Sequence, residues 1–350
     1  MSFRKRASLR DAMRGIVEEP LLPMVPKRFD YIGDVAVVSI PPELSAYKET
    51  IASKLFSMRG NTRAVLNKVS KLEGEHRVAD FELLLGESAE TIHRENGYTY
   101  KLDIKKVFFN PRLYSERGRI ASKITSGERI LIPFAGVGPF VLPAAGKGAT
   151  VYAIEINPNA CACLRENIRI NRLEGQITVI QEDFEKLFRT ENNLHTKNTL
   201  HTENILRTDH VFQSEKVFQT FDPAKASKDS ETGGNGENGE NGRKIGNKNF
   251  PGLPACPSPG KGEDKDLQVP DSGFDRAVVP TPYGMDRFLE RISELVKKGG
   301  YIHFYTFKAE SQIPELIEEY EKIGLEVEFY RRAGNVAPGI SRWVFDLIKK

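Results

Sequence analysis

ERILIPFAGVGPFVLPAAGKGATVYAIEINP, residues Glu128–Pro158, is the stretch that decides the fold. It holds two short apolar runs, ILIPF and TVYAIEI, separated by a glycine-rich turn and a helical segment. Short apolar runs bounded by Gly and Pro are typical of buried strands. Strands that alternate with helices favour a parallel sheet with right-handed crossovers. The stretch therefore predicts a strand, a helix and a second parallel strand.

The pattern continues on both sides of this unit. Downstream we expect helices over residues 159–173, 285–298 and 313–323, and strands over 177–184, 275–280, 300–307, 325–333 and 341–348. Upstream, residues 29–110 mix short strand and helix patterns. The sequence therefore predicts an α/β fold with a Rossmann-like, mostly parallel sheet, an antiparallel pair at its end, and a small N-terminal α+β module.

Composition divides the chain into three parts and one insertion. We expect a basic segment at 1–28, the small α+β module at 29–110 facing RNA, and the large domain at 111–350. Residues 194–272 are rich in Asn, Gly, Ser and Lys and contain the near-repeats LHTKNT and LHTENI. Such sequence buries too little apolar area to offset its ordering entropy. We expect a disordered insertion there, with a role as a lid or RNA-tethering arm as the less favoured alternative.

Charge and cysteine content exclude several classes of protein. The 350 residues carry 51 Lys and Arg against 48 Asp and Glu, a net charge of +3, so a nucleic-acid surface must be a local patch. The three cysteines form no CxxC pair, which argues against a zinc site or a disulfide framework. No apolar run approaches the roughly 20 residues of a membrane span. We expect a cytoplasmic protein without metal.

The ends of the three predicted strands carry the residues of a nucleoside site. Ala135 to Gly138 let the backbone turn tightly near a ligand, although a plain strand-to-helix turn is an equal alternative. Glu155 ends the next strand, where an acid accepts hydrogen bonds from ribose hydroxyls. Asp183 follows the third strand and suits an exocyclic amine. No GxxxxGK[ST] motif is present, so S-adenosylmethionine fits this edge better than a dinucleotide or a nucleoside triphosphate.

Six segments together resemble one enzyme family. They are FNPRLYSERGRI, FAGVGPF, VYAIEINPNA, LRENIRINRL, FDYIGDVAVVSIP and KVSKLEGEHRV. This combination resembles the archaeal and eukaryotic tRNA guanine-37 N1-methyltransferases and their wybutosine-pathway relatives. The resemblance implies a class I methyltransferase fold, S-adenosylmethionine as cofactor and the anticodon stem-loop of tRNA as partner. It implies a cofactor site formed by Phe134, Ala135, Gly136, Gly138, Glu155, Ile156, Asp183, Phe184 and Pro280.

The same resemblance implies two catalytic residues. N1 of guanine carries a proton, so its methylation needs a general base and stabilisation of the charge that builds on O6. Glu116 matches the family's base, and its alternative is a helix-start carboxylate favoured by the helix dipole. Arg77 matches the arginine near O6, and its alternative is a surface arginine of the small module.

Four further residues are candidates for substrate binding. Arg112 and Arg117 flank Glu116 and suit phosphate or carboxylate contacts, although solvation on a helix surface explains either one alone. Tyr283 could stack on an extruded base, with core packing as the alternative. Thr281 keeps a hydroxyl where the family usually has an Asn, because this chain reads Pro280-Thr281-Pro282-Tyr283. The catalytic assignment at this motif stays open.

Three functions remain in competition. The leading hypothesis is methyl transfer from S-adenosylmethionine to N1 of guanine 37 of tRNA, by a monomer. The alternative is aminocarboxypropyl transfer to a tricyclic guanine derivative, or methylation of that derivative. The PRLYSER segment favours the first, whereas the missing Asn and the short segment before Phe29 favour the second. The third hypothesis is an RNA-binding protein that keeps the fold of the cofactor-binding enzymes but has no catalytic activity.

Overall fold

The N-terminal module is a small sheet that shares one hydrophobic core with two helices. The computed structural model describes residues 8–70, 78–189 and 273–350 of the chain. The elements of the module are α1 (Leu9–Met13), β1 (Phe29–Ile32), β2 (Val35–Val38), α2 (Lys48–Met58), β3 (Ala64–Lys68) and β4 (Phe81–Leu85). The strands lie in the order β1-β2-β3-β4, with β2 and β3 parallel and the outer pairs antiparallel. The predicted α+β module is thus observed.

The described part of the predicted basic segment at 1–28 packs inside this module. Leu9, Met13 and Val17 are at most 3% exposed and pack with residues of α2 and β2. Ser8 and Asp11 form a capping box that starts α1, because each side chain bonds the backbone amide of the other. The spacing of four between the apolar residues is helical, so burial of one face outweighs the charge of the segment.

The rest of the chain forms a hairpin and a large sheet with helices. Its elements are β5 (Glu90–Glu95), β6 (Tyr98–Asp103), α3 (Tyr114–Ser122), β7 (Arg129–Pro133), α4 (Val141–Ala145), β8 (Thr150–Glu155), α5 (Pro158–Ile170), β9 (Ile177–Gln181), α6 (Phe184–Arg189), β10 (Phe274–Val279), α7 (Leu289–Leu295), β11 (Val296–Lys308), α8 (Ile313–Lys322), β12 (Leu325–Ala337) and β13 (Ile340–Lys349). The strands and helices predicted after Pro111 are therefore present, although β11 begins four residues before the predicted strand.

The large sheet has the order β12-β13-β11-β10-β7-β8-β9. The five strands from β11 to β9 run parallel, whereas β13 is antiparallel to β11 and β12 is antiparallel to β13. This confirms the predicted mostly parallel sheet with a final antiparallel pair. The strand order reverses between β7 and β10, and in sheets of this kind ligands bind in the crevice outside the carboxyl ends of the strands at such a point.

The hairpin β5–β6 packs on the large sheet's helices, although the prediction placed it in the module that ends at residue 110. Thr99 N–H donates to Asn171 Oδ1 at 2.9 Å, and Lys101 N–H donates to Asn167 Oδ1 at 2.7 Å. Asn167 lies in α5 and Asn171 directly follows it. The hairpin therefore belongs with the large domain.

Two predictions lie outside the described residues. The first is the insertion at 194–272, which falls in the gap between residues 189 and 273. The second is Arg77, which falls in the gap between residues 70 and 78. Both therefore stay predictions from the sequence.

A chain of buried ionisable side chains crosses the sheet through His303 in β11. Arg276 Nη1 donates to His303 Nε2 at 2.6 Å, and His303 Nδ1 lies 2.6 Å from Asp346 Oδ1. Arg119 of α3 donates to both oxygens of Asp346. Because a guanidinium can only donate, Nε2 of His303 must accept, which leaves a neutral ring with its proton on Nδ1. His303 is fully buried in its strand and also joins Arg276 to Asp346 through hydrogen bonds.

We expect His303 to make stability depend on pH. Burial lowers the pKa of His303, and the nearby guanidinium groups of Arg276 and Arg119 oppose its protonation further, although Asp346 works the other way. As pH falls below about 6.5, the unfolded chain binds a proton that the folded protein does not. The free energy of unfolding should then decrease with falling pH, by at most about 1.4 kcal/mol per pH unit. Denaturant titrations between pH 7 and pH 5 measure this slope.

The control for this prediction is His303→Gln. Glutamine cannot gain a proton in this range but can still accept from Arg276 and donate to Asp346. Asp346 also has a lowered pKa, but that stability is lost only below about pH 4, where its unfolded-state carboxylate becomes protonated. An equal slope in the wild type and in His303→Gln between pH 7 and pH 5 would contradict the assignment.

Candidate functional site

A cavity of about 750 Å³ lies at the carboxyl ends of β7, β8, β9 and β10. Its lining includes the predicted residues Phe134, Ala135, Gly136, Glu155, Ile156, Asp183, Phe184, Pro280, Thr281 and Tyr283. These residues follow or end four different strands, so the parallel sheet brings them together. The residues that the sequence predicted for a nucleoside site therefore form one continuous wall of the cavity.

The turn after β7 has an unusual backbone conformation. Phe134 has a φ of 56° and Gly136 a φ of 57°, both in the left-handed region. A non-glycine residue there costs of order 1 to 3 kcal/mol, and such strain concentrates at functional sites. Gly138 has a different task from the predicted cofactor contact, since it is absent from the cavity lining. A Cβ at Gly138 would lie 2.5 Å from Leu164 Cδ1, so this glycine lets the turn pack on α5.

Glu155 is held in position by backbone amides. Gly136 N–H donates to Glu155 Oε2 at 2.7 Å, and Asn157 N–H donates to Oε1 at 2.8 Å. Asn157 in turn caps α5 through its side-chain oxygen. Each carboxylate oxygen can accept more than one hydrogen bond, so the group can still accept from a vicinal diol in the cavity. The carboxylate thus connects the strained turn to the end of β8.

Asp183, Phe134 and Phe184 form the neighbouring part of the wall, and Phe288 packs against the two rings from outside the cavity lining. Asp183 Oδ1 accepts from Glu185 N–H at 2.9 Å, which fixes the carboxylate at the start of α6. The rings of Phe134, Phe184 and Phe288 lie 5.5 to 5.9 Å apart, centroid to centroid. An acceptor beside apolar aromatic faces suits a planar base with an exocyclic amine. Sequence reasoning missed Phe307, an aromatic residue of β11 that also lines the cavity.

The segment after β10 contributes Thr281 and Tyr283 as predicted. Thr281 is buried and its hydroxyl donates to the Val279 carbonyl at 3.2 Å. Tyr283 is 56% exposed, and its ring lies 5.4 Å from that of Phe307, which also lines the cavity. The alternative of simple core packing is wrong for Tyr283. Its exposed ring is available to a ligand.

Arg117, a predicted substrate-binding residue, lines the cavity, but its guanidinium is engaged with other groups of the protein. Its side chain is 1% exposed and forms a two-point ion pair with Glu95 of β5, with Nη2 at 2.6 Å from Oε2. Arg117 Nη1 also donates to the Asn110 carbonyl at 3.0 Å, and the guanidinium lies over the Phe109 ring. All of this holds α3 against the hairpin. These contacts use three of the five N–H groups of the guanidinium, and the substrate contact of Arg117 stays a prediction.

Glu116 lies behind the cavity wall. Its carboxylate is 3% exposed and accepts hydrogen bonds from Arg119 at 2.8 Å, from Arg331 and from the Tyr305 hydroxyl at 3.1 Å. Tyr305 itself lines the cavity, whereas Glu116 does not. The tyrosine is therefore the link between the predicted base and the cavity. Burial, with the adjacent Glu116 carboxylate, raises the pKa of Tyr305, so its hydroxyl keeps its proton.

A second cavity of about 800 Å³ adjoins the first on the side of the N-terminal module. Its described lining has one carboxylate, Asp30, and the cations Lys27, Arg28, Lys68, Arg112 and Arg342. Arg112, which the sequence proposed for substrate binding, lines this cavity, and its Nε donates to Asp30 Oδ1 at 2.8 Å. Burial lowers the pKa of Lys68. Such an excess of positive charge favours a polyanion.

Metal and membrane sites are absent from the described ranges. No group of three or more His, Cys, Asp or Glu side chains in residues 8–70, 78–189 and 273–350 could hold a metal ion. Within the same ranges, no helix has the length and hydropathy needed to cross a bilayer.

Comparison with protein families gives two adjacent matches. Residues 9–89 match the TYW2 N-terminal domain, and residues 91–209 match the TRM5/TYW2 methyltransferase domain. The border between the two matches falls just before the hairpin β5–β6. It agrees with the packing of the hairpin on the large sheet's helices.

Two curated proteins match about half of the chain. The tRNA (guanine(37)-N(1))-methyltransferase Trm5b of Pyrococcus abyssi is 40% identical over 178 residues, which is 50% of this chain and 54% of that protein. The tRNA(Phe) (4-demethylwyosine(37)-C(7)) aminocarboxypropyltransferase of Pyrococcus horikoshii is 38% identical over 176 residues, 50% of this chain and 63% of that protein. The matched stretches thus span less than two thirds of either relative.

A solved structure shares the whole fold. The crystal structure of P. horikoshii TYW2 in complex with MeSAdo has a TM-score of 0.60 and 24% identity, covering 97% of each chain. At this identity the likeness concerns the fold, which is the predicted class I methyltransferase fold with its N-terminal module.

Proposed function

Because this chain belongs to the TRM5/TYW2 methyltransferase family, we propose that it transfers a methyl group from S-adenosylmethionine to N1 of guanine 37 in tRNA. The observation that carries the proposal is the pair of adjoining cavities. One has the strand-end acids and aromatic rings that suit an adenosine, and the other has a cationic lining that suits RNA. The 40% match to an N1-methyltransferase supports this choice of reaction.

The side chains that line the cavity at the strand ends fit the hydrogen-bonding groups of the cofactor. Glu155 suits the two ribose hydroxyls, and Asp183 suits the amine of adenine. Phe134 and Phe184 supply apolar faces for the base. When bound, S-adenosylmethionine supplies an electrophilic methyl group on a positively charged sulfur.

In the reaction, guanine N1 must lose its proton as it forms the new N–C bond, while the S–C bond breaks and S-adenosylhomocysteine leaves. We assign the N1 proton to Glu116, reached through Tyr305, whose hydroxyl already donates to Glu116 Oε1. Arg77 keeps its proposed role near O6. We further propose that the enzyme acts as a monomer on the anticodon stem-loop, in the cytoplasm.

We expect the strand-end acids to govern cofactor affinity. Glu155→Ala and Asp183→Ala should each weaken binding of S-adenosylmethionine by about 1 to 3 kcal/mol, since each leaves a buried ligand group without its acceptor. Isothermal titration calorimetry measures this loss. Glu174→Ala, which removes an exposed carboxylate outside the cavity, is the control. Unchanged affinity in both test variants would refute the assigned site.

A second candidate is aminocarboxypropyl transfer to a tricyclic guanine derivative. The observation that favours it is the match of residues 9–89 to the TYW2 N-terminal domain, together with Thr281 where the methyltransferases usually have Asn. The same cofactor carries both groups, so the cavity at the strand ends is compatible with either.

One labelling experiment separates these functions. The protein is incubated with tRNA bearing guanine or the tricyclic derivative at position 37, using cofactor labelled in the methyl group or in the carboxyl group. Methyl label in 1-methylguanosine from the guanine tRNA supports the leading proposal, and adenine at position 37 should abolish it. Carboxyl label in the tricyclic nucleoside would replace it with the second candidate. No transfer of either label would favour a silent RNA-binding protein.

A further inference from the structure

The two cavities meet at a small set of shared residues. Among the described residues, those that line both are Phe108, Phe109, Asn110, Val336 and Arg342. Phe108 and Val336 are 46% and 50% exposed, so this junction has open apolar faces. A base that reacts with the cofactor must reach the point where the RNA-facing cavity opens into the cofactor cavity. The shared residues are therefore the ones that such a base would touch.

Arg342 is the charged residue at this junction. It lies on β13, and its guanidinium carbon lies 5.0 Å from the centroid of the Phe307 ring, which packs beside Tyr283. Burial lowers the pKa of Arg342, but a guanidinium stays protonated at neutral pH.

Two arginines on the adjacent strand β12 differ from Arg342 because each has a carboxylate partner. Arg331 is paired with Glu116 and Arg332 with Glu310, whereas no described carboxylate lies within ion-pair distance of Arg342. A cation partly withdrawn from water is costly unless an anion or an acceptor is supplied. Its position and its lack of a carboxylate both indicate that a ligand supplies the acceptor.

We propose that Arg342 binds the Hoogsteen edge of the extruded guanine, donating hydrogen bonds to O6 and N7. This inference rests on the proposed function and adds to it the residue that recognises the base. Guanine presents two acceptors, O6 and N7, at the spacing of the guanidinium fork, whereas adenine presents a donor amine beside N7. Arg342 therefore selects guanine, and it stabilises the negative charge that spreads onto O6 when N1 loses its proton.

Other ligands compete with the base for Arg342. A backbone phosphate would meet the outer cations of the second cavity, such as Lys27 and Arg28, which line that cavity alone. The carboxylate of the cofactor is the competing ligand, because Arg342 also lines the cofactor cavity, and the measurement of cofactor affinity distinguishes the two. The exposed Phe108 ring at the same junction offers a stacking face that only a base uses.

A chemical double-mutant cycle tests the proposal. Single-turnover methyl transfer is measured for wild type and Arg342→Gln on tRNA with guanine 37 and with 7-deazaguanine 37, which lacks N7. Wild type should react about tenfold more slowly on the 7-deaza tRNA, because one charge-assisted hydrogen bond is lost. Arg342→Gln should be slow on both tRNAs and should not distinguish them. Arg342→Lys keeps the charge without the planar fork, so its rate on guanine-37 tRNA should lie between those of the wild type and Arg342→Gln. This variant also guards against a folding defect of the Gln variant.

The matched control is Arg332→Gln. Arg332 also lies over an aromatic ring of the same sheet, that of Trp343, but lines neither cavity. It should behave as wild type on both tRNAs. Cofactor affinity, measured by calorimetry, should change less than about twofold in all variants.

Three results would overturn the inference. The first is an undiminished tenfold preference for guanine over 7-deazaguanine in Arg342→Gln. The second is a large loss of cofactor affinity in that variant, which would assign Arg342 to the cofactor carboxylate. The third is a weaker tRNA affinity with a shallower salt dependence and unchanged N7 sensitivity, which would assign it to a phosphate. Failure of the wild type to methylate guanine-37 tRNA would instead defeat the proposed function before any variant is compared.

Discussion

Arg117→Ala should lower the free energy of unfolding by about 3 to 5 kcal/mol, because it leaves the buried Glu95 carboxylate without its ion-pair partner. Burial by itself raises the pKa of Glu95, but hydrogen bonds from His93 and Arg117 outweigh burial and hold that pKa below its ordinary value. The variant also removes the contact of the guanidinium with the Phe109 ring. Urea denaturation followed by circular dichroism measures the loss.

Two further variants show whether the charge pair is the cause. The double variant Glu95→Ala/Arg117→Ala should lose less free energy of unfolding than the sum of the two single losses, because it leaves neither charge unpaired. Arg169→Ala removes an arginine from an exposed pair with Glu166 and should change stability by less than about 1 kcal/mol. Additive losses in the cycle would mean that Arg117 stabilises the fold through packing and that the ion pair contributes little.

Glu116→Gln should reduce single-turnover methyl transfer by roughly 100-fold or more, because the amide cannot accept the N1 proton. Tyr305→Phe should show a comparable loss if the proton passes through the tyrosine, since its hydroxyl is the contact between Glu116 and the cavity wall. Rapid-quench measurements on guanine-37 tRNA provide these rates.

The structural surroundings of Glu116 make a stability control necessary. Its carboxylate also neutralises Arg119 and Arg331. Arg119 keeps Asp346 as a partner and Arg331 is 41% exposed, so the variant should remain folded. Glu310→Gln, at the exposed partner of Arg332, is the matched control and should keep the wild-type rate. If Glu116→Gln reacts almost as fast as the wild type, the base lies elsewhere or the nucleophile is a carbon atom, as in the aminocarboxypropyl transfer.

Strand periodicity was enough to predict the cofactor edge. Glu155 and Asp183 each end or follow an apolar run, and parallel strands put such residues at one edge of a sheet. The residues at the junction could not be predicted in this way. Arg342 reaches the site because β13 pairs antiparallel with β11, and the register that brings Arg342 opposite Phe307 depends on long-range pairing.

Local sequence was also insufficient wherever a charged side chain has a distant partner. The segment PRLYSER suggests that Arg117 belongs to the substrate site, but its partner Glu95 lies on another element of the structure. In the N-terminal segment, by contrast, the local sequence did contain the needed information. Its composition indicated only a basic segment, although the spacing of Leu9 and Met13 already contained the helical face that becomes buried.

The adjacency of β7 and β10 determines when the site can form during folding. Strands β7 to β9 pair with near neighbours in the sequence, and so do β10 to β13. Among the described strands, the two halves of the sheet pair with each other where Ile130 and Leu131 lie beside Arg276 and Ala277. Contacts between residues so far apart in the chain form slowly, because the loop must close before they are made. The cavity at the strand ends spans this seam, so we expect it to be completed late in folding. Added cofactor should therefore slow unfolding of the finished protein and leave the early folding phases unchanged.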